Sequence, residues 1–411
     1  MNPFIRNIRR LFFYLFFLLA GVEFCKGIDP SVLYYQYITQ LDGLSNGNVN
    51  TICQDYKGFI WIGTKDGINR YDGFKIEVYK SSPGDSGGLP DNEIIKIFED
   101  SKKRLWIGTR KGLAYYDRGQ KRIRTFENNN YSLINEYISS INEDSEGRIW
   151  FGTLKGLYSY NSAKGEVIKI DFYPEELDNN TNFEVGAIEF DSRGKMWIGS
   201  FNIGLAKYDL EKNNLQWIYR RKDLPDPTEK DVISRICVDK NNNIWFSNGR
   251  SEIFKTKLLT EVTERVYLRG DVNEKNNCQG IFCDSNGVIW IAEGTNGLFF
   301  YSKENSFINI KASSPGSSSL LSNKITTIFQ DNEGIYWVGH HFKGVTMIVP
   351  DYYQSFYTLR NPIETNIGLN YNLITSITED HIGNIWFGSD DGGLYRYIRS
   401  ETDMYTLQTI L

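Results

Sequence analysis

Eight of the nine tryptophans in this chain of 411 residues form a single periodic series. Trp61, Trp106, Trp150, Trp197, Trp245, Trp290, Trp337 and Trp386 follow one another at intervals of 44 to 49 residues, and only Trp217 stands outside. Six residues before each lies an aspartate: Asp55, Asp100, Asp144, Asp191, Asp239, Asp284, Asp331 and Asp380. Three residues before every aspartate lies an isoleucine, from Ile52 to Ile377. Two residues after the tryptophan stands glycine in six copies, with Ser247 and Ala292 in the others. Three linked positions repeated eight times constrain the fold severely. A unit of this size cannot bury its apolar face alone, so consecutive units have to stack on one another.

The first copy shows what the unit is. VNTICQD reads as a strand, YKG as a turn, FIWIGT as a second strand, KDG as a turn, and INRYD and FKIEVY as two more strands. An aspartate opening a tight turn accepts backbone N–H groups two or three residues on. Glycine three residues later supplies the left-handed conformation in six copies, and Asn242 tolerates it; Lys103 departs from the pattern and predicts strain or a different turn. In IWIG the apolar residues are consecutive rather than alternating, which means a strand buried on both faces. Four short antiparallel strands buried on both sides describe a β-propeller blade, with the glycine after the tryptophan permitting close approach near the hub.

An open ring leaves an edge of unpaired backbone groups. The spare strand VLYYQYIT, residues 32–39, is placed to complete the last blade. The expected fold is therefore all-β: a seven-bladed propeller over residues 28–349 closed by strand 32–39, followed at 350–411 by an eighth repeat that begins an incomplete second propeller. One eight-bladed ring is the alternative.

Ahead of the repeats, Arg6, Arg9 and Arg10 precede the uncharged run LFFYLFFLLA. This reads as a secretory signal over residues 1–27, cleaved or kept as an anchor, and makes the remainder periplasmic or otherwise exported. With 15% aromatic residues the chain is not a disordered one, and a formal charge of −5 argues against a nucleic-acid partner. Five cysteines do not make a disulfide framework; Cys53, Cys237 and Cys283 read as small core residues of innermost strands.

The phrase GLSNGNVNTICQDYKGFIWIGTKDGINRYDG, with its echoes INEDSEGRIWFGTLKGLYSY and SITEDHIGNIWFGSDDGGLYRY, resembles the two-component regulator propeller repeat. The resemblance covers the chain beyond the signal. It implies the periplasmic sensor region of a hybrid two-component histidine kinase, in which two seven-bladed propellers precede a β-sandwich, a membrane helix and the kinase, and whose ligands are oligosaccharides released from polysaccharides. Signal output then needs a kinase portion that these 411 residues do not contain, reached through blade rearrangement or the geometry of a homodimer.

The candidate chemistry is sparse. The aspartates recur at one turn of every blade and read as structural, not as a carboxylate ring for catalysis or a metal. His340 and His341 are a lone pair that reads as surface or ligand contact, and His381 as exposed. No phosphate-binding loop, nucleophile elbow or zinc-protease motif occurs, and no cofactor is called for. The turns joining second and third strands vary between copies and share a face with the inter-blade loops, so recognition is expected there. In order they carry Lys65 and Asp66; Arg110 and Lys111; Lys155; Phe201 and Asn202; Arg250; Glu293 and Asn296; and His340, His341 and Lys343. Their basic excess predicts an anionic or heavily hydroxylated oligosaccharide, with Phe201 stacking on a sugar ring. The tyrosines at 34, 35, 37, 352, 353 and 357 and Phe356 read as outer-strand packing or a partner interface. A non-enzymatic sensor module is the leading reading; a polysaccharide lyase or hydrolase and a protein-interaction scaffold are the alternatives.

Overall fold

Every copy of the motif opens an antiparallel sheet of four strands in the computed structural model. The structure describes residues 33–349 and 374–409, apart from 83, 86, 129–132, 134, 171–182, 221–231, 249–251, 269–277, 302–305, 314–318, 383, 390–392 and 400–404. The expected signal, residues 1–27, lies outside these. Among the described residues no helix is long and apolar enough to cross a membrane.

Blade 1 runs Val49–Gln54, Ile60–Thr64, Gly67–Tyr71 and Ile76–Tyr79, from the innermost strand outward. The same order repeats from Ile94–Glu99 to Arg122–Thr125 in blade 2, and from Ile138–Glu143 to Glu166–Ile170 in blade 3. Blade 4 runs from Val185–Phe190 to Asn214–Arg220, blade 5 from Ile236–Val238 to Thr263–Val266, and blade 6 from Cys278–Cys283 to Phe307–Ile310. Blade 7 takes three strands from its own repeat, Ile325–Gln330, Tyr336–His340 and Gly344–Val349. Its fourth is the N-terminal strand Tyr34–Ile38, paired from Tyr34 with Val349 to Ile38 with Val345. Successive innermost strands lie side by side, and that of blade 7 returns against that of blade 1. Across this seam Asn332 N donates to Gln54 Oε1 at 2.7 Å and Gly344 N to the Gly47 carbonyl at 2.8 Å, so the ring closes at seven sheets.

The second strand of each of these blades is buried along its whole length, as the consecutive apolar residues require. The glycine after the tryptophan is explained by crowding. A Cβ on Gly63 would lie 2.6 Å from both Ile94 Cγ2 and Thr51 Cγ2, and one on Gly199 would lie 2.5 Å from the Ile233 carbonyl oxygen. The close approach is thus to the innermost strand of the same blade and to the segment that enters or forms that of the next.

The repeated aspartate does more than turn the chain. In all eight sheets one carboxylate oxygen accepts from the indole Nε1 of the tryptophan six residues on, at 2.7 to 3.0 Å. In blade 1 the other oxygen accepts from Lys57 N and Phe59 N, at 3.0 and 3.1 Å. A buried indole N–H without an acceptor is costly, so the aspartate and tryptophan require each other. Lys103 makes the same turn as its glycine counterparts, with φ 64° and its N–H donating to the Asp100 carbonyl at 2.9 Å. The departure in sequence is absorbed as local strain, not as a different turn.

The second unit, from Tyr352 onward, holds the eighth sheet: Ile374–Glu379, Ile385–Ser389, Gly393–Arg399 and Tyr405–Thr409. Its motif isoleucine, Ile377, is 65% exposed, against 6% for Ile52 in blade 1. A blade face becomes core only when another blade covers it.

Candidate functional site

The turns between second and third strands are held by backbone and by one short side chain. Thr64 Oγ1 donates to the Gly67 carbonyl at 2.9 Å, and Thr109 and Thr153 do the same to Gly112 and Gly156. The next backbone N–H reaches the inter-blade loop: Lys65 N donates to Asn48 O, Arg110 N to Glu93 O, Phe201 N to Glu184 O and His341 N to Lys324 O, at 2.9 to 3.0 Å. Each turn tip is therefore pinned beside the residue that enters the innermost strand. The tips form a rim around the axis of the ring.

On this rim Lys65, Arg110, Lys111, Lys155 and Lys343 are exposed, and Phe201, Asn202, Asn296 and His341 are half-buried. Asn202 N donates to Ser200 Oγ at 3.1 Å, which fixes its turn. Arg250 lies outside the described residues. Two candidates are not surface groups. His340 and Glu293 are 0% and 1% exposed. They stand three residues after the motif tryptophan, where Thr64, Thr109, Thr153 and Ser200 close the turn. Strand alternation points that position inward. His340 Nε2 lies 2.8 Å from Thr346 Oγ1, and Glu293 Oε1 accepts from Thr295 Oγ1 at 3.0 Å. Aligning the copies on the tryptophan would have separated these two from the rim.

The basic excess is also smaller than the turns alone suggest. Arg110 pairs with Glu93 at 3.0 Å, Lys111 with Asp91 at 3.3 Å and Lys155 with Glu136 at 2.6 Å. All three acids come from inter-blade segments, which the count over turns left out. Lys65, Lys324 and Lys343 make no ion pair among the described residues and gather at the seam of blades 7 and 1. His341 sits among them, its pKa lowered by desolvation and then by the charges of Lys324 and Lys65. Burial pulls His340 down to about 4. The thiols of Cys53, Cys237, Cys278 and Cys283 are free; burial pushes Cys53 up to about 12 and Cys278 and Cys283 up to about 11.

Sequence reading missed the polar groups of the innermost strands. Lys96 and Glu189 are half-buried there, and Arg235 and Tyr137 stand one residue before the innermost strands of blades 5 and 3. A lysine in IIKIFE and an arginine in ISRICV were the available signals.

The family model described as two component regulator propeller matches residues 43–66, 88–111, 132–155, 319–342 and 368–391. Each match runs from the inter-blade approach through the second strand to the rim turn. A stretch of 52 residues is 42% identical to histidine kinase P4 of Formosa agariphila, covering 13% of this chain and 4% of that protein. Among solved structures, an extracellular domain from B. thetaiotaomicron, described as part of a hybrid two-component system, superposes with TM-score 0.64 at 21% identity, over 92% of this chain and 52% of that one. Virginiamycin B lyase from Staphylococcus aureus superposes with TM-score 0.57 at 14% identity, over 77% of this chain and 99% of the lyase. The chain thus spans about half the length of the extracellular domain and a small fraction of the kinase.

Proposed function

We propose that this chain, built from two-component regulator propeller repeats, is an exported, non-enzymatic sensing module that binds an oligosaccharide on the rim of second–third strand turns. The observation that carries the reading is the difference between the two ends of the blades. At one end every blade repeats the aspartate–tryptophan turn. At the other, turns pinned through equivalent backbone bonds present lysine, arginine, phenylalanine and histidine in different blades. Varied side chains on a fixed scaffold suit recognition.

Phe201 offers a ring face to a pyranose. Lys65, Lys324 and Lys343, which make no ion pair among the described residues, would supply the preference for carboxylate or sulfate. Arg110, Lys111 and Lys155 would have to exchange partners to do so. Similarity to sensor extracellular domains supports a role in which binding is passed to a membrane-linked kinase, the eighth repeat belonging to a second propeller. Calorimetry with uronate-containing and neutral oligosaccharides tests the reading. Acidic ligands should bind more tightly, and Lys65→Ala with Lys324→Ala should remove about tenfold of that preference. Equal or absent binding of the acidic set overturns the charge argument, and turnover of the polysaccharide overturns the non-enzymatic one.

A further inference from the structure

Charge pairing is the rule among the arginines of the blades. Arg70 pairs with Glu77, Arg104 with Asp100, Arg118 with Asp55 and Glu99, Arg148 with Asp144 and Arg265 with Glu252. Arg235 breaks it. It stands at the inner edge of blade 5, next to Ile236, and makes no ion pair among the described residues. Its Nε donates to the Gln279 carbonyl of blade 6 at 2.8 Å and its Nη1 to the Ser234 carbonyl at 2.9 Å. A guanidinium carries five N–H donors in a rigid fork. Two are spent on carbonyls that hold the fork across the seam between blades, and the rest find no acceptor among the described residues.

The electrostatics single out the same group. Burial lowers the Arg235 pKa, and the charged or titratable neighbours that act on it are the Tyr137 phenol and the Cys278 thiol, not a carboxylate. Arginine does not lose its proton inside proteins, so it cannot relieve burial by turning neutral. Lys96, elsewhere on the innermost strands, differs: it acts on Glu189, which also accepts from Asn142 Nδ2 at 3.1 Å. Tyr137 has its own pKa raised by burial, with Arg235 opposing, and Glu93 and Arg110 acting in opposite directions. It therefore keeps its hydroxyl proton and can donate it.

We propose that Arg235, with Tyr137 at the mouth of blade 3 as a second donor, is an oxyanion site on the axial side of the ring, taking one carboxylate, sulfate or phosphate group in the open edge of the guanidinium. Charge-assisted, bidentate bonding of an oxyanion is what this fork is shaped for. The site does not depend on oligosaccharide recognition at the rim: acidic binding left unchanged by Lys65→Ala with Lys324→Ala would overturn the rim reading and leave Arg235 standing.

The test needs no variant at first. Phenylglyoxal labelling of the full chain, read by peptide mass spectrometry, reports how fast Arg235 is modified. Sodium sulfate and sodium glucuronate are compared with glucose and with sodium chloride at equal ionic strength. Either oxyanion should slow modification of Arg235 about tenfold at saturation, leaving Arg122 and Arg193 unchanged, while glucose and chloride do nothing. Protection by sulfate alone assigns the site to free inorganic oxyanions; protection by glucuronate as well assigns it to acidic sugars. Calorimetry of Arg235→Gln should then show affinity reduced about tenfold or more, and of Tyr137→Phe a few-fold. No protection by either anion, or unchanged binding by a folded Arg235→Gln, overturns the proposal.

Discussion

Replacing Asp284 by alanine removes the acceptor for four donors at once. Trp290 Nε1 reaches it at 2.9 Å and the Tyr336 hydroxyl, from the next blade, at 2.7 Å. Asn286 N and Val288 N reach its other oxygen at 2.9 and 2.8 Å. Water can replace the carboxylate for the two turn N–H groups, since Ser285 and Asn286 lie at the surface. It cannot readily do so for the side-chain donors, because Trp290 and Tyr336 are 0% and 1% exposed. Leaving a buried donor unsatisfied costs about 1–3 kcal/mol. The indole cannot rotate away and the hydroxyl can, so the loss should be about 3–5 kcal/mol, most of it from the indole. Tyr336→Phe removes one donor and leaves Asp284 bonded to Trp290; it should cost about 1 kcal/mol. Adding Tyr336→Phe to Asp284→Ala should then be nearly free, a coupling of about 1 kcal/mol in the double-mutant cycle. Equilibrium urea unfolding, followed by circular dichroism, measures all three variants. If Asp284→Ala costs no more than Tyr336→Phe, the aspartate does not hold the indole in the way described; if the two losses simply add, it does not hold the tyrosine hydroxyl.

Two further outcomes are expected. His340 is neutral in the folded ring, with its pKa lowered to about 4, while an unfolded chain protonates it near 6.5. The unfolded state thus binds the extra proton between those values. Its contribution is fully present above about pH 6.5 and is lost as pH falls towards 4, by about 3 kcal/mol. His340→Gln should flatten the stability profile across that window; an unchanged pH slope in urea titrations refutes the assignment. Gly63→Ala should cost about 1–3 kcal/mol through crowding alone, since its backbone is not left-handed and the new Cβ would meet Ile94 and Thr51 at 2.6 Å. A thermal midpoint equal to that of the native chain would refute it.

What could be read in the sequence follows from where information repeats. Strand order, the aspartate turn and the doubly buried second strand are stated in every copy, so each copy corrects the others. The Trp–Asp hydrogen bond lies in the same pattern, at a fixed separation of six, but an aspartate that opens a turn has a sufficient local reason to be there, which hides its second partner. In sequence His340 and Glu293 read as turn residues because their side chains are polar and the turn begins beside them. Their counterparts Thr64, Thr109, Thr153 and Ser200 mark the position as the inward end of a strand. The pairing of Lys155 with Glu136 across 19 residues depends on how two loops meet, and only three dimensions supply that. Arg235 lies deeper still, because a charge at the entry of an apolar strand gains meaning only when seven innermost strands surround one axis.

The arrangement also accounts for why one end of the blades repeats and the other does not. At the aspartate end the side chains carry the structure: the carboxylate satisfies a buried indole, and changing either partner strands the other. At the rim the same task falls to backbone. Lys65, Arg110, Phe201 and His341 occupy equivalent places and each donates its own N–H to a neighbouring loop carbonyl, whatever its side chain is. The side chain is thereby released from holding the turn, and only the residue before it, threonine or serine in four blades, remains constrained. Variation at the rim is structurally cheap because main chain, not side chain, fixes the turn. A ring built in this way can change its rim side chains without changing how its blades stack.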